Sequence, residues 1–124
     1  MAEHVVIFLR SADWDARHLA VSIALTAAAF GDKVHLALFG SALRSFADGR
    51  FADGAPASAA AARVPPLDTT LAEGRCDLGL RVVACDTALR LVDLDPYAAV
   101  PPLDEVVSLP ALWRLAREGR AIAL

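Results

Sequence analysis

Cysteine and histidine are scarce in this 124-residue chain, which has two residues of the first type and three of the second. The cysteines, Cys76 and Cys85, are nine residues apart, a separation that fits no common zinc spacing. Two cysteines are also too few for a disulfide scaffold. The composition therefore argues against a metal site and against a fold held together by disulfide bonds.

Lysine is nearly missing, because Lys33 is the one lysine among 12 basic residues. The basic residues are outnumbered by 15 acidic ones, which gives a formal net charge of -3 at pH 7. Nucleic acids and anionic membrane surfaces bind clustered positive charge, and the sequence has no basic run. We therefore expect neither of them as a main partner.

Long hydrophobic runs are lacking, although 56% of the residues are hydrophobic. The longest run, Leu19 to Phe30, has twelve residues, whereas a membrane-spanning helix needs about 20. Residues 1–4 do not begin a secretory signal, since no cationic region is followed by a small-residue cleavage site. The sequence predicts a cytoplasmic protein with one domain over residues 1–124.

Glycine is missing where nucleotide-binding turns need it. The turn after the first apolar run, Arg10 to Asp13, contains no glycine and so lacks the dinucleotide fingerprint. A flavin phosphate loop would find only Ser11 there, and no lysine follows Lys33 to complete a phospho-acceptor site. The Gly-x-Ser-x-Gly elbow of serine hydrolases is absent too. Nucleotide binding, phosphoryl transfer and serine hydrolysis are therefore disfavoured.

Five short apolar runs alternate with helical segments along the chain. Apolar runs without polar alternation are typical of strands buried on both faces of a parallel sheet. The predicted strands are residues 4–9, 33–39, 80–84, 105–108 and 120–124, and the predicted helices are 14–30, 41–47, 67–73, 88–92 and a last one between Ser108 and Gly119. This order predicts a three-layer α/β fold of the flavodoxin-like class, an open parallel five-stranded sheet with helices on both faces.

The first predicted helix has an unusually broad apolar surface. Asp13 is expected to cap its start and Gly31 to end it. A stripe at helical spacing consists of Leu19, Ile23, Ala27 and Phe30. Such a surface fits either a tightly packed core helix or a subunit interface.

Two segments predict loops. Residues 47–64, in which Ala-Asp-Gly occurs twice, predict a mobile surface loop, either a tolerated insertion or a flap over a site. The prolines at 96, 101 and 102 bracket a second predicted loop, which contains Tyr97.

Ligands of open parallel sheets bind outside the carboxyl ends of the strands, so the residues that follow the predicted strands are candidates for a site. These residues are Arg10, Ser11, Asp13, Gly40, Ser41, Cys85, Asp86, Thr87 and Ser108. His18, one turn into the first helix, is a further candidate as a base.

Cys85 is the strongest single candidate, since it ends a buried strand and begins a helix. Backbone N–H groups at a helix start favour the reactive thiolate, whereas the adjacent negative charge of Asp86 favours the thiol. The alternative is that Cys85 is a small buried hydrophobe.

Cys76 precedes the same strand, and the strand residues between the two cysteines span roughly 16 Å. A disulfide needs Cα atoms within about 7 Å, so we expect no Cys76–Cys85 bond and a structural role for Cys76.

Several segments resemble the DsrE/DsrF-like family of sulfur-relay proteins, which includes TusD-like and YchN-like members. The segments are Ser11-Ala-Asp-Trp-Asp15 before an alanine-rich helix, Gly31-Asp-Lys-Val-His-Leu-Ala-Leu-Phe39, Leu80-Arg-Val-Val-Ala-Cys85-Asp-Thr-Ala-Leu89 and Leu109-Pro-Ala-Leu-Trp-Arg-Leu-Ala-Arg-Glu-Gly119. In the third segment Cys85 stands where the family has a cysteine at a strand end. The resemblance covers nearly the whole chain outside residues 47–66.

The resemblance implies that Cys85 accepts sulfane sulfur as a persulfide and passes it on, with no metal or organic cofactor. It implies a sulfurtransferase-type carrier rather than a stand-alone enzyme, assembled as a trimer or hexamer and served by donor and acceptor proteins. Arg10, Asp13 and Thr87 would shape its pocket. Two alternatives stay open: a non-catalytic oligomeric binding module with a structural Cys85, and a flavodoxin-like domain that binds a nucleotide or another small ligand.

Overall fold

The computed structural model describes residues 3–96 and 103–124, so the predicted loop around Tyr97 lies outside the described residues. The elements within these ranges are β1 (His4–Leu9), α1 (Trp14–Ala29), β2 (Lys33–Leu38), α2 (Gly40–Ala47), α3 (Ala57–Ala61), α4 (Leu67–Asp77), β3 (Arg81–Ala84), α5 (Asp86–Leu91), β4 (Glu105–Val106), α6 (Leu109–Glu118) and β5 (Arg120–Ala123). The five strands form one parallel open sheet, and helices lie on both of its faces. The predicted fold class is therefore confirmed.

The strand order is β4-β3-β2-β1-β5, so the chain changes direction once in the sheet. From β1 it proceeds outward through β2 and β3 to β4, and α6 then carries it back across the sheet to β5 beside β1. The carboxyl ends of β1 and β5 lie at this change of direction. In open α/β sheets such a point leaves a crevice in which ligands bind.

Alternate strand residues pack against the two opposite faces. On the first face Ile7 and Leu36 contact a core built with α1, α2, α4 and α5. On the second face Val6, Ala37 and Val83 pack against α6, the one helix on this side among the described residues. Because both faces of β1 and β2 are covered, these strands read as continuous apolar runs in the sequence. No helix of the described residues is long and apolar enough to cross a membrane.

Two glycines allow close packing of elements. A Cβ at Gly119 would collide with the carbonyl oxygen of His4, so α6 can pass into β5 beside β1 only with glycine there. A Cβ at Gly74 would collide with Leu25, and glycine at that position lets α4 approach α1. The prediction that a helix ends before Gly74 is wrong, because α4 continues to Asp77.

The segment 47–64 is more ordered in secondary structure than a plain loop. It contains α3, and its Phe51 side chain is buried. The buried guanidinium of Arg17 donates hydrogen bonds to the backbone carbonyls of Phe51 and Asp53, and it lies over the Phe51 ring. Arg17 on α1 therefore fixes this segment to the first face of the sheet.

Details of α1 differ from the predictions. Asp13 occupies the N-cap position, but its side chain makes no capping hydrogen bond. The predicted apolar stripe is not the buried one, because Leu19 and Phe30 are exposed. The buried side of α1 instead consists of Arg17, Ala20, Val21, Ala24 and Ala28. Small residues on this side let the helix lie close to the sheet.

Asp104 attaches the short strand β4 to β3. Its carboxylate accepts hydrogen bonds from the Val82 N–H at 2.7 Å and from the guanidinium of Arg75 at 2.9 Å. Burial makes the largest contribution and would raise the pKa of Asp104, but the two hydrogen bonds and the positive charges of Arg75 and Arg81 together outweigh burial, and the pKa lies below its usual value. The carboxylate therefore stays charged and holds the sheet edge nearest to Cys85.

Candidate functional site

Cys85 lies between β3 and α5, at the N-cap of the helix. Its Sγ accepts a hydrogen bond from the Ala88 N–H at 3.2 Å. A backbone N–H that points at sulfur stabilises negative charge on it. The buried residues Val82 to Ala84 set this position, because they fix β3 in the sheet and leave Cys85 as the first residue beyond it. Both cysteines are free, as the sequence predicts.

The Cys85 side chain is buried, with 5% of its surface exposed, but it lines a cavity of about 440 Å³. The volume lies within the range of small-molecule sites. Exposed apolar side chains stand at the mouth of the cavity, where Leu91 is 80% exposed and Leu109 is 51% exposed. The described residues that line it are Phe39, Gly40, Cys85, Asp86, Thr87, Ala88, Leu91, Val92, Ser108, Leu109 and Pro110. A small molecule that enters here would meet the sulfur.

The Cys85 cavity is mostly apolar, and Asp86 is the one charged residue that the structure describes in its lining. The Asp86 carboxylate lies 3.5 Å from the guanidinium of Arg90 on the surface of α5, which balances its charge. Ser108 and Thr87 supply hydroxyl groups, and the Ser108 oxygen accepts a hydrogen bond from the Ala111 N–H at 3.3 Å. Ser108 thus caps α6, as the sequence predicts.

A second cavity of about 430 Å³ adjoins the first and shares Phe39 and Leu109 with it. It lies at the carboxyl ends of β1 and β5, where the strand order changes direction. Its lining is Phe8, Arg10, Phe39, Leu109, Ala123 and Leu124. The two cavities therefore adjoin at Phe39 and Leu109, with Cys85 in the lining of one and Arg10 in the lining of the other.

The structure places six of the ten candidate residues in the linings of the two cavities, Cys85 and Ser108 among them. Gly40, Asp86 and Thr87 line the Cys85 cavity, and Arg10 lines the adjoining one. Ser41 lies in a separate groove along α2, which also contains Gly40.

Three other candidates lie outside both cavities. Ser11 and Asp13 contribute nothing to either lining, and the Ser11 hydroxyl instead accepts a hydrogen bond from the Asp13 N–H at 3.0 Å. His18, the candidate base, also lies outside them and stacks on Trp14 with ring centroids 4.7 Å apart. The geometry thus gives no catalytic role to these side chains.

The apolar walls of the site give little signal in the sequence. Phe39 and Leu109 belong to the linings of both cavities. Their side chains carry no polar or reactive group that a motif search would notice. Leu109 does follow a predicted strand end, so the rule that found Cys85 extends to it. Leu91 could be recognised only from its exposure in the folded chain.

The chain matches no protein-family model, and no curated protein matches it. The resemblance to the DsrE/DsrF-like family thus remains a prediction from motifs. The function of the protein has to be argued from the geometry around Cys85.

Proposed function

We propose that this protein is a cytoplasmic sulfur carrier of the DsrE/DsrF-like type, in which Cys85 holds sulfane sulfur as a persulfide. The observation that carries the proposal is the Sγ atom of Cys85, which accepts the Ala88 N–H and borders a cavity with an apolar lining. The Ala88 N–H points at the sulfur that must attack, and the cavity has room for the second sulfur. The cytoplasm keeps such a thiol reduced.

The transfer is an exchange between persulfides. The Cys85 thiolate attacks the outer sulfur of a donor R–S–SH, so that a new S–S bond forms at Cys85. The S–S bond of the donor breaks, and its electron pair leaves on the donor thiolate R–S⁻. The proton stays on the transferred sulfur, and no oxidant or reductant is consumed. An acceptor thiolate repeats the same step on the Cys85 persulfide, so the protein acts as a carrier between two partners.

The test is the intact mass of the protein after incubation with sodium disulfide. We expect a gain of about 32 Da, the mass of one sulfur atom, in the native chain. Cys85→Ser should lose this gain, because the attacking sulfur is gone. Cys76→Ser, which removes the exposed cysteine, is the matched control and should retain it. A gain of sulfur that survives in Cys85→Ser would contradict the proposal.

A second candidate function, a binding module in which Cys85 only fills the core, is favoured by the 5% exposure of the side chain. The two candidates differ in the reactivity of the thiol. A carrier should be alkylated by iodoacetamide at Cys85 in the native Cys76→Ser protein, whereas a core cysteine should react only after unfolding. The extent of Cys85 alkylation in urea-unfolded protein gives the value for a fully accessible thiol, with which the native value is compared.

We also propose that the chain forms a homo-oligomer, a trimer or hexamer, through the outer side of α6. Leu109 and Trp113, one helical turn apart, are 51% and 58% exposed. Large exposed apolar side chains in a continuous patch mark interaction surfaces.

We expect Trp113→Ser to lower the mass measured by light scattering toward the 13.1 kDa of one chain. Leu19→Ser, an equally exposed apolar site on α1, should leave the mass unchanged. A monomeric native protein would contradict this proposal.

A further inference from the structure

The Arg10 cavity lies where ligands of open α/β sheets bind, at the carboxyl ends of β1 and β5. The backbone of Arg10 is fixed there, because its N–H donates to the carbonyl of Leu124 at 3.1 Å and its carbonyl accepts from the Ala42 N–H at 3.2 Å. The same carbonyl lies 3.7 Å from the place where a Cβ of Gly40 would be. Since Gly40 lines the Cys85 cavity, Arg10 stands at the border of the two cavities.

The positive charge of Arg10 has no partner within residues 3–96 and 103–124. The side chain is exposed, and its guanidinium enters none of the ion pairs or side-chain hydrogen bonds there. The described part of its cavity lining contains no aspartate or glutamate. An arginine beside an apolar surface binds carboxylates and similar anions well, because charge-assisted hydrogen bonds are stronger where water is partly excluded.

The surfaces between Arg10 and Cys85 are aromatic and aliphatic. Phe39 and Leu109 belong to both cavities, and Phe8 and Leu124 complete the wall on the Arg10 side. Such a lining favours the carbon skeleton of an organic molecule over a small inorganic ion. Arg10 is the one cationic residue among the described residues that line the two cavities, so the negative group of a ligand belongs at the Arg10 end.

We infer that the site takes a small organic thiol or persulfide that carries an anionic group, whose anion binds Arg10 while its sulfur meets Cys85. This inference rests on the proposed sulfur-carrier function and names the class of molecule that delivers or receives the sulfur. The transfer itself is unchanged: the donor S–S bond breaks as the Cys85 S–S bond forms. When the donor S–S bond breaks, the leaving thiolate is still bound to Arg10 through its anionic group.

The test compares two aryl disulfides that react with a thiolate by the same exchange. Dithiobis(nitrobenzoate) carries carboxylates, whereas dithiodipyridine is neutral near neutral pH. The Cys76→Ser protein leaves Cys85 as the one thiol, and the absorbance of the released aryl thiolate gives the rate. We expect Arg10→Gln to slow the anionic reagent about tenfold, the effect of losing one charge-assisted contact, and to change the neutral reagent less than about twofold.

Two further variants serve as controls. Arg117→Gln makes the same charge change on an exposed part of α6 outside both cavities, and both rates should stay within about twofold of the parent. Arg10→Lys keeps the charge but loses the planar fork, so its rate with the anionic reagent should fall between those of arginine and glutamine. Equal slowing of both reagents by Arg10→Gln, or no slowing of the anionic one, would overturn the inference.

The outcome separates this inference from the function on which it rests. If Cys85 gains sulfur from sodium disulfide but the Arg10 variants show no preference between the two reagents, the anion site is wrong and the carrier function stands. If the preference is found but Cys85 gains no sulfur, the anion site stands and the carrier function is wrong.

Discussion

The two faces of the sheet contrast in how they are covered. Four helices and the buried Phe51 cover the first face, whereas α6 is the one described helix on the second. Strand residues on both faces are equally inaccessible, as Val6 and Ile7 show with 0% exposure each. The cavities nevertheless lie beside the N-terminal end of α6, where Leu109 is exposed. The Cys85 cavity lies between the start of α5, which belongs to the first face, and the start of α6, which belongs to the second, so the site lies at the rim where the two layers of helices meet.

Truncation of a core leucine tests this contrast most strongly. Leu36→Ala on the first face removes a fully buried side chain from a densely covered core, and we expect a loss of about 3–5 kcal/mol in the free energy of unfolding. Leu112→Ala on the second face should cost about 2–3 kcal/mol, because the partly exposed Phe8 and Leu115 can move into the space. Urea unfolding followed by circular dichroism measures both. The reverse order of the two losses would break the comparison.

Replacement of Arg17 tests how the first face holds the segment 47–64. Arg17→Met keeps the aliphatic part of the side chain but loses the hydrogen bonds to the carbonyls of Phe51 and Asp53. Those carbonyls are then left with fewer donors, and we expect a loss of about 1–3 kcal/mol in stability. Limited proteolysis should cut within residues 47–64 sooner than in the native chain. Arg63→Met, at an exposed position in the same segment, should change neither property.

The smallest expected effect concerns His35 on the second face. Burial lowers the pKa of His35, with smaller contributions from the nearby charges of Arg81 and His4, while Glu105 acts in the opposite direction. The unfolded chain therefore binds a proton more readily than the folded one, and stability is full above the unfolded pKa of about 6.5. It should decline as the pH falls from there through the lower folded value.

Asparagine at position 35 serves as the comparison for this pH effect. His35→Asn cannot take up the proton, so its melting temperature should depend less on pH between neutral and mildly acidic conditions. Equal pH profiles of the two proteins would show that the second face is open enough to solvate a charged imidazole at this position.

The sequence was most informative about the sheet. Contiguous apolar runs such as residues 4–9 identify parallel strands because these strands are covered on both faces. The helix α3 was missed because its alanines form no amphipathic pattern, and the tether from Arg17 that accompanies it is a contact between distant parts of the chain. The buried side of α1 was misassigned for a related reason, since small alanines rather than the larger Leu19 face the sheet.

Prediction of where residues lie works best where backbone topology decides the position. Cys85, Asp86 and Thr87 follow β3 directly, and the sheet carries them to its carboxyl edge. It failed for Ser11 and Asp13, because the direction of side chains in a turn depends on local hydrogen bonds such as the one between these two residues. Apolar walls gave no signal at all, since their contribution is shape.

The absence of a side chain at residue 119 has a consequence for the opposite end of β5. The strand can lie beside β1 only because nothing projects from Gly119 toward the His4 carbonyl, and the same strand ends in Ala123 and Leu124, which wall the Arg10 cavity. A single methyl group added at residue 119 would force β5 as a whole away from β1. The displacement would change the shape of the Arg10 cavity at Ala123, roughly 13 Å along the strand from residue 119.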